Sequence, residues 1–361
     1  MRNKRVLLLI ESYNGYGAEK MLLWLGNNLC NYDYDVTFCS IYDNVRRDNM
    51  DERAKFEGFA IKRRENFLLS NMTYFIFGLL HLLKLFIKGR YDYVVTFRAT
   101  PFVLLLLCKP FYKGAKLIMA ERNDPNAATT KLSRYKQRLF RFASGLVCQT
   151  EGAKKYFEDR GIKVDAIIPN PIDIPDVLWH PNESYSIACV GRLRIEQKRQ
   201  DVMIIAFKEI VKKYPTAVLT FYGDGIDKNK LVNLVNDSGL QKNVVFAGKV
   251  TDVLEKLSYH HIFALTSDYE GIPNSLMEAM SIGMPVISTD CRPGGTRFLI
   301  DNGVNGVIVP VNNPHLLADQ IEIMFGSSDL CCKYGINARK SIKRLMPESI
   351  IKLWIEFFKQ L

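Results

Sequence analysis

The 361-residue chain has eight cysteines but no Cys-x-x-C and no paired spacing, which argues against a zinc ribbon and against a disulfide framework. Cys331 and Cys332 are adjacent, a poor arrangement for either purpose, so the thiols read as buried groups of a reducing compartment. Nor is a secretory leader expected at the start of the chain. Met1–Glu11 starts basic but has only five strongly apolar residues in a row, Val6–Ile10, too few for a signal core and suited to a first strand. Without a leader, the Asn71-Met-Thr and Asn182-Glu-Ser sequons carry no meaning. No run interleaves basic and aromatic residues as nucleic-acid binders do. His260 and His261 are neighbours and would point to opposite faces of a strand, which argues against a shared metal. Asp33-Tyr-Asp35 precedes the strand Val36–Ser40 instead of following one, and reads as a turn.

What is present is an ordinary globular composition with an uneven charge. Hydrophobic residues make up 48% and charged residues 24%, and the length accommodates two α/β domains. Residues 1–170 hold 28 Lys and Arg against 17 Asp and Glu, whereas residues 171–361 hold 21 against 21. The whole excess of +11 therefore lies in the first half, where attraction to an anionic membrane surface explains it better than nucleic acid does. The most apolar long stretch is in that half. Phe67–Lys88 is long enough to cross a bilayer, but Ser70, Asn71, Thr73, His81 and Lys84 interrupt it. With Lys62, Arg63 and Arg64 before it and Lys84, Lys88 and Arg90 at its far end, it predicts either a helix lying in a membrane interface or a buried core helix.

Strands and helices alternate through both halves. Val6–Ile10, Tyr93–Phe97, Lys116–Ala120, Gly145–Cys148 and Val164–Ile168 read as buried parallel strands, with helices over Ala18–Leu29 and Glu151–Arg160. Pro169-Asn-Pro171-Ile-Asp173-Ile-Pro175 has three prolines in seven residues, which neither a helix nor a central strand tolerates. A linker is expected there, over 169–182. The second half resumes with strands Ser186–Val190, Ala217–Tyr222 and Val244–Ala247.

The most informative stretch is 262–293. Ile262–Leu265 reads as a buried strand, Thr266–Asn274 as a loop, Ser275 to Gly283 as a short helix, and Pro285–Ser288 as another strand. A loop at the carboxyl end of a parallel strand, feeding a helix N-terminus, is where such folds bind ligands. The free amides there suit a phosphate or a sugar hydroxyl. Glu270 lies in the loop and Glu278 one turn into the helix. Each has a plainer reading: Glu270 as a solvated acid, and Glu278 as the partner of Ser275 in a capping box. Flanked by Gly271, Pro273 and Asn274, the pair favours a site for hydroxyl groups, which carboxylates accept in pairs.

The stretch Glu270-Gly-Ile-Pro-Asn-Ser-Leu-Met-Glu278-Ala-Met, followed by Gly283-Met-Pro285-Val-Ile, resembles the E-x7-E signature of retaining glycosyltransferases of the two-domain B fold, family 4. The likeness covers nearly the whole chain. It implies two Rossmann-like α/β domains with parallel sheets facing across a cleft: residues 1–168 for the acceptor, a hinge at 169–182, residues 183–345 for the nucleotide sugar, and a last helix, 346–361, returning to the first domain. It implies that Glu270 and the amides of Gly271, Ile272, Pro273–Asn274 and Ser275 meet the donor sugar and Glu278 the ribose. Arg192 and Lys198, after Gly191, would neutralise the diphosphate, with Arg194 and Arg199 as rivals because the usual gap is one residue shorter. Gly223 and Gly225 would approach the nucleotide, and Gly15 and Gly17, in a glycine loop here split by Tyr16, the donor phosphates.

For the acceptor, the polar loops after two first-half strands supply Arg98, Arg122, Asn123 and Asp124; the histidine that many members carry there is missing. Where relatives place an acid, this chain has Arg297. The resembled fold needs no metal and no further cofactor. The function so implied is transfer of a sugar, from a UDP-sugar by preference, to a saccharide acceptor. The basic half and the apolar helix suggest a polyprenyl-diphosphate-linked acceptor at the cytoplasmic face of the cell membrane, in polysaccharide or surface-glycan assembly. Rival readings are an epimerase or phosphorylase of the same fold and a hinged sugar-binding protein.

Overall fold

A computed structural model describes residues 3–13, 17–59, 67–181 and 184–361, excepting the side chains of 67–72 and 74. Gly15, Tyr16, Lys62–Arg64 and Asn182 lie outside the described residues. The chain divides into two compact units: Met1–Ile168 with Ile350–Leu361, and Pro169–Ser349.

The first unit is built on a seven-stranded sheet: β1 (Lys4–Ile10), β2 (Tyr34–Ser40), β3 (Lys55–Gly58), β4 (Tyr93–Thr96), β5 (Lys116–Ala120), β6 (Gly145–Cys148) and β7 (Ala166–Ile167). The order is β3-β2-β1-β4-β5-β6-β7, and every pairing is parallel. Apolar runs such as Val6–Ile10 are wholly buried, as sheets covered on both faces require. The strand order changes direction between β1 and β4, the topological switch point where such sheets present ligand sites.

Helix Phe67–Lys88 has the predicted bounds, and one side of it meets the expectation of a core helix. Leu82 and Phe86 pack into the core with Leu7, Leu9 and Phe102, whereas Ile76, Phe77, Leu80 and Ile87 are exposed. Among the described residues, no helix is long and apolar enough to cross a membrane.

The last helix, Pro347–Gln360, supplies the first unit with its largest buried side chain, Trp354. Trp354 stacks on Phe97 at 5.9 Å and Phe358 on Tyr93 at 4.6 Å. The Tyr93 hydroxyl donates to the Phe358 carbonyl at 2.7 Å.

The second unit carries a six-stranded parallel sheet: β8 (Ser186–Val190), β9 (Val218–Tyr222), β10 (Val244–Gly248), β11 (Ile262–Leu265), β12 (Val286–Thr289) and β13 (Val307–Val309). Its order, β10-β9-β8-β11-β12-β13, reverses between β8 and β11. The stretch expected to act as a hinge is largely bound to this unit. The Ile172 amide donates to the Leu345 carbonyl and the Trp179 amide to that of Ile282. Trp179 Nε1 donates to the His260 carbonyl at 2.7 Å, and Arg339 to the carbonyls of Pro175 and Val177. The two histidines point apart as expected: His260 Nε2 meets the Tyr222 hydroxyl at 2.9 Å, and His261 Nδ1 the Ser184 carbonyl at 3.1 Å. All eight cysteines are free thiols.

Candidate functional site

The loops after β8, β9, β11 and β12 meet at the switch point of the second sheet, and glycine makes the meeting possible. Gly223 follows β9 with φ +133°, and a Cβ on it would lie 2.0 Å from the Gly191 carbonyl oxygen; only glycine combines that conformation with that approach. A Cβ on Gly295 would lie 1.8 Å from the Gly271 carbonyl oxygen, so the loops after β11 and β12 touch backbone to backbone. Gly225 abuts the Leu193 carbonyl in the same manner.

On this frame stand the charged groups. The ammonium of Lys198 pairs with Glu270 Oε1, and the Ser267 hydroxyl donates to the same oxygen at 2.9 Å. The two side chains are only 18% and 11% exposed. Lys198 runs over Gly191, whose added Cβ would meet Lys198 Cε at 3.5 Å and Nζ at 3.6 Å. Its carbonyl accepts from the Thr266 hydroxyl at 2.9 Å. Arg192 is exposed and its carbonyl is held by Gln200 Nε2 at 2.9 Å. The rival cations are engaged elsewhere: Arg194 with Glu196 at 2.5 Å, and Arg199 with Asp201 and Asp268, both at 3.1 Å. Lys198 is therefore the cation of this loop that reaches Glu270.

Helix Asn274–Ser281 begins directly after Pro273, its N-cap, with no side-chain cap bond. This corrects the capping-box reading: Ser275 already sits inside the helix, so it cannot act as the cap. Glu278, half-buried, follows Asn274 by one turn in the same helix. Asn274 Oδ1 accepts from Asn170 Nδ2 at 2.8 Å. Glu270 is fixed from behind by its own amide, which donates to the Arg292 carbonyl at 2.8 Å. Beside it, burial and the nearby Glu270 charge push the Cys291 thiol up to about 12. Ile272 is buried. Arg297, in place of an expected acid, pairs with Asp290 at 2.5 Å. The Lys198–Glu270 pair joins an ammonium and a carboxylate at the loop that feeds a helix start, groups that can hold a phosphate and hydroxyls. Among the described residues, no three His, Cys, Asp or Glu side chains gather as metal ligands.

Ser267, Thr266, Gln200 and Asn170 are not among the site candidates of the sequence reading. Ser267 carried a local signal, three residues before Glu270, the spacing at which a hydroxyl reaches a loop carboxylate.

The first unit treats its candidates differently. Arg98 pairs with Glu11 at 3.7 Å and Glu19 at 3.6 Å. Arg122, expected to touch an acceptor, has its guanidinium over the Phe97 ring at 4.4 Å and the Trp354 ring at 5.3 Å and donates to the Ile168 carbonyl at 2.8 Å. Asp124 is buried and accepts from the Asn126 amide and side chain, both at 3.0 Å. Asn123 is exposed, and its amide donates to Glu121 Oε1 at 3.2 Å. Gly17 is the exposed first residue of helix Gly17–Leu29. Glu121 was not anticipated: burial pushes its carboxyl up to about 7, against the opposing pull of the Asn123 and Arg122 amides.

Comparison with known proteins gives a consistent picture. The family described as "Glycosyl transferases group 1" matches residues 173–341. An uncharacterized glycosyltransferase of Methanocaldococcus jannaschii is 31% identical over 309 residues, covering 70% of this chain and 74% of that protein. The poly(ribitol-phosphate) alpha-N-acetylglucosaminyltransferase of Staphylococcus aureus is 29% identical over 192 residues, 53% of this chain and 38% of that one. In three dimensions the chain is similar to Anabaena HepE, crystallised with UDP and glucose, at a TM-score of 0.83 and 18% identity over 98% or more of both chains (99% and 100%), a likeness of fold.

Proposed function

This chain belongs to the glycosyl transferases of group 1, and from that premise we propose that it transfers a sugar from a nucleoside-diphosphate donor, a UDP-sugar, to a saccharide acceptor, with retention at the anomeric carbon and without a metal ion. The observation that carries the reading is the Lys198–Glu270 pair over Gly191, beside the helix start at Asn274. The difficult step is departure of the diphosphate as the anomeric carbon gains positive charge. Preorganised cations and amides lower that barrier without reorganising. Arg192 and Lys198 serve the leaving oxygens, Glu270 and the amides of Gly271, Ile272, Asn274 and Ser275 the sugar, and Glu278 the ribose hydroxyls. The bond from the anomeric carbon to the β-phosphate oxygen breaks, the acceptor oxygen bonds on the same face, and its proton passes to the departing phosphate.

The S. aureus relative acts on a poly(ribitol-phosphate), which supports a surface-glycan acceptor. The basic charge of the first half and the exposed Ile76, Phe77, Leu80 and Ile87 support an acceptor linked to polyprenyl diphosphate, reached from an anionic membrane surface on its cytoplasmic side. Two measurements test this. UDP should raise the melting temperature of the chain, and UDP-sugars should release UDP when membrane lipid is added. No shift with any nucleotide would remove the donor assignment. Failure to float with anionic vesicles at low salt would remove the lipid-linked acceptor.

A further inference from the structure

We propose that Glu270, through its pair with Lys198, weakens the hold of the site on the free nucleoside diphosphate and so speeds release of that product. The inference rests on the donor-site reading above and assigns the pair a joint role within it. An ammonium has three N–H donors; here one is committed to Glu270 Oε1, an oxygen that also accepts from Ser267. The pair cannot simply drift apart. The Lys198 stem lies against Gly191 and its carbonyl is tied to Thr266, while the Glu270 amide is tied to Arg292.

A diphosphate that reaches Lys198 must therefore bring its charge up to the carboxylate that Lys198 already serves. At a site this enclosed, two like charges a few ångströms apart repel by more than a tenfold change in affinity requires.

The two nucleotides feel this repulsion differently. An intact sugar nucleotide places hydroxyl donors where Glu270 can accept them, and its second phosphate is an ester with a single charge. After transfer the hydroxyls are gone and the terminal phosphate titrates toward a double charge near neutral pH. The same carboxylate that steadies the donor then opposes the product.

The experiment is titration calorimetry on the full chain with UDP, UDP-glucose and UDP-N-acetylglucosamine, with GDP in parallel. Glu270→Gln removes the charge and keeps an acceptor oxygen. It should bind UDP about tenfold more tightly than the parent, a change of about 1.4 kcal/mol, and bind neither sugar nucleotide more tightly. Product inhibition by UDP should deepen by the same factor. Glu270→Ala removes the same charge should the Gln variant fail to fold. Lys198→Met should weaken UDP binding more in the Glu270→Gln background, where the ammonium is released from its partner, than in the parent. UDP affinity that is unchanged or lower without the charge, or equal Lys198→Met losses in both backgrounds, overturns the inference. A parent that binds no nucleotide overturns the donor reading beneath it, which is a different result.

Discussion

The two units share an architecture, parallel sheets whose order reverses once, yet they use their polar residues differently. After β4 and β5 of the first unit, Arg122 packs on the Phe97 and Trp354 rings, Asp124 caps a turn and Arg98 serves two carboxylates. After β8 and β11 of the second unit, Lys198 and Glu270 pair at the loop that feeds helix Asn274–Ser281. A strand's carboxyl end is a place where a site can form; what forms there depends on whether neighbouring elements claim the side chains first. In the first unit Phe97 and Trp354 claim Arg122, Asn126 claims Asp124, and Glu11 and Glu19 claim Arg98.

Substitutions at Trp354, Arg192, Arg122, Glu121 and Arg297 sharpen or break this contrast. Trp354→Ala should cost about 3–5 kcal/mol, as truncation of a fully buried tryptophan does. Hydrogen exchange should quicken in β4 to β6 and leave β8 to β12 unchanged; equal loosening of both sheets would erase the distinction. Arg192→Ala should lower kcat about 100- to 1000-fold at an unchanged melting temperature, measured as UDP release. Near-normal turnover would take this residue out of the mechanism. Arg122→Ala should do the reverse, lowering the melting temperature while UDP binding holds.

Glu121→Gln tests the first unit by pH. The folded pKa of about 7 stands above the ordinary 4.5, so the folded chain holds this proton more tightly. That stabilisation is complete below about pH 4.5 and lost as pH rises through 7. The Gln variant should therefore melt higher than the parent at about pH 8 and at the same temperature at about pH 4. Smallest is Arg297→Ala. It breaks an ion pair whose guanidinium is 70% exposed, and unfolding measurements should show a loss under about 1 kcal/mol.

Much of this was legible before the structure. Strands β5, β6, β8 and β11 have the bounds their apolar runs predict, because a buried parallel strand is written in consecutive residues. Glu270 and Glu278 were legible for the same reason, lying in one loop and the helix it feeds. Lys198 was not separable from Arg194 and Arg199 locally; its partner is 72 residues away. The engagement of Arg122 was invisible because Trp354 arrives from the far end of the chain. Strands β3 and β13, of four and three residues, are too short to show a period. The capping-box reading failed by two residues, the cap being Pro273 and not Ser275, a register that helix starts seldom declare.

The last helix has a consequence for how this protein is made. A Cβ on Gly145 of β6 would come within 2.7 Å of Phe357, so the closing helix seats directly on a strand synthesised more than two hundred residues earlier. On the ribosome, the amino-terminal half should emerge with that seat vacant and wait through synthesis of the entire second unit. The unit begun first should thus be finished last, and nascent chains arrested before Pro347 should protect the later half from protease while the earlier half is still cut.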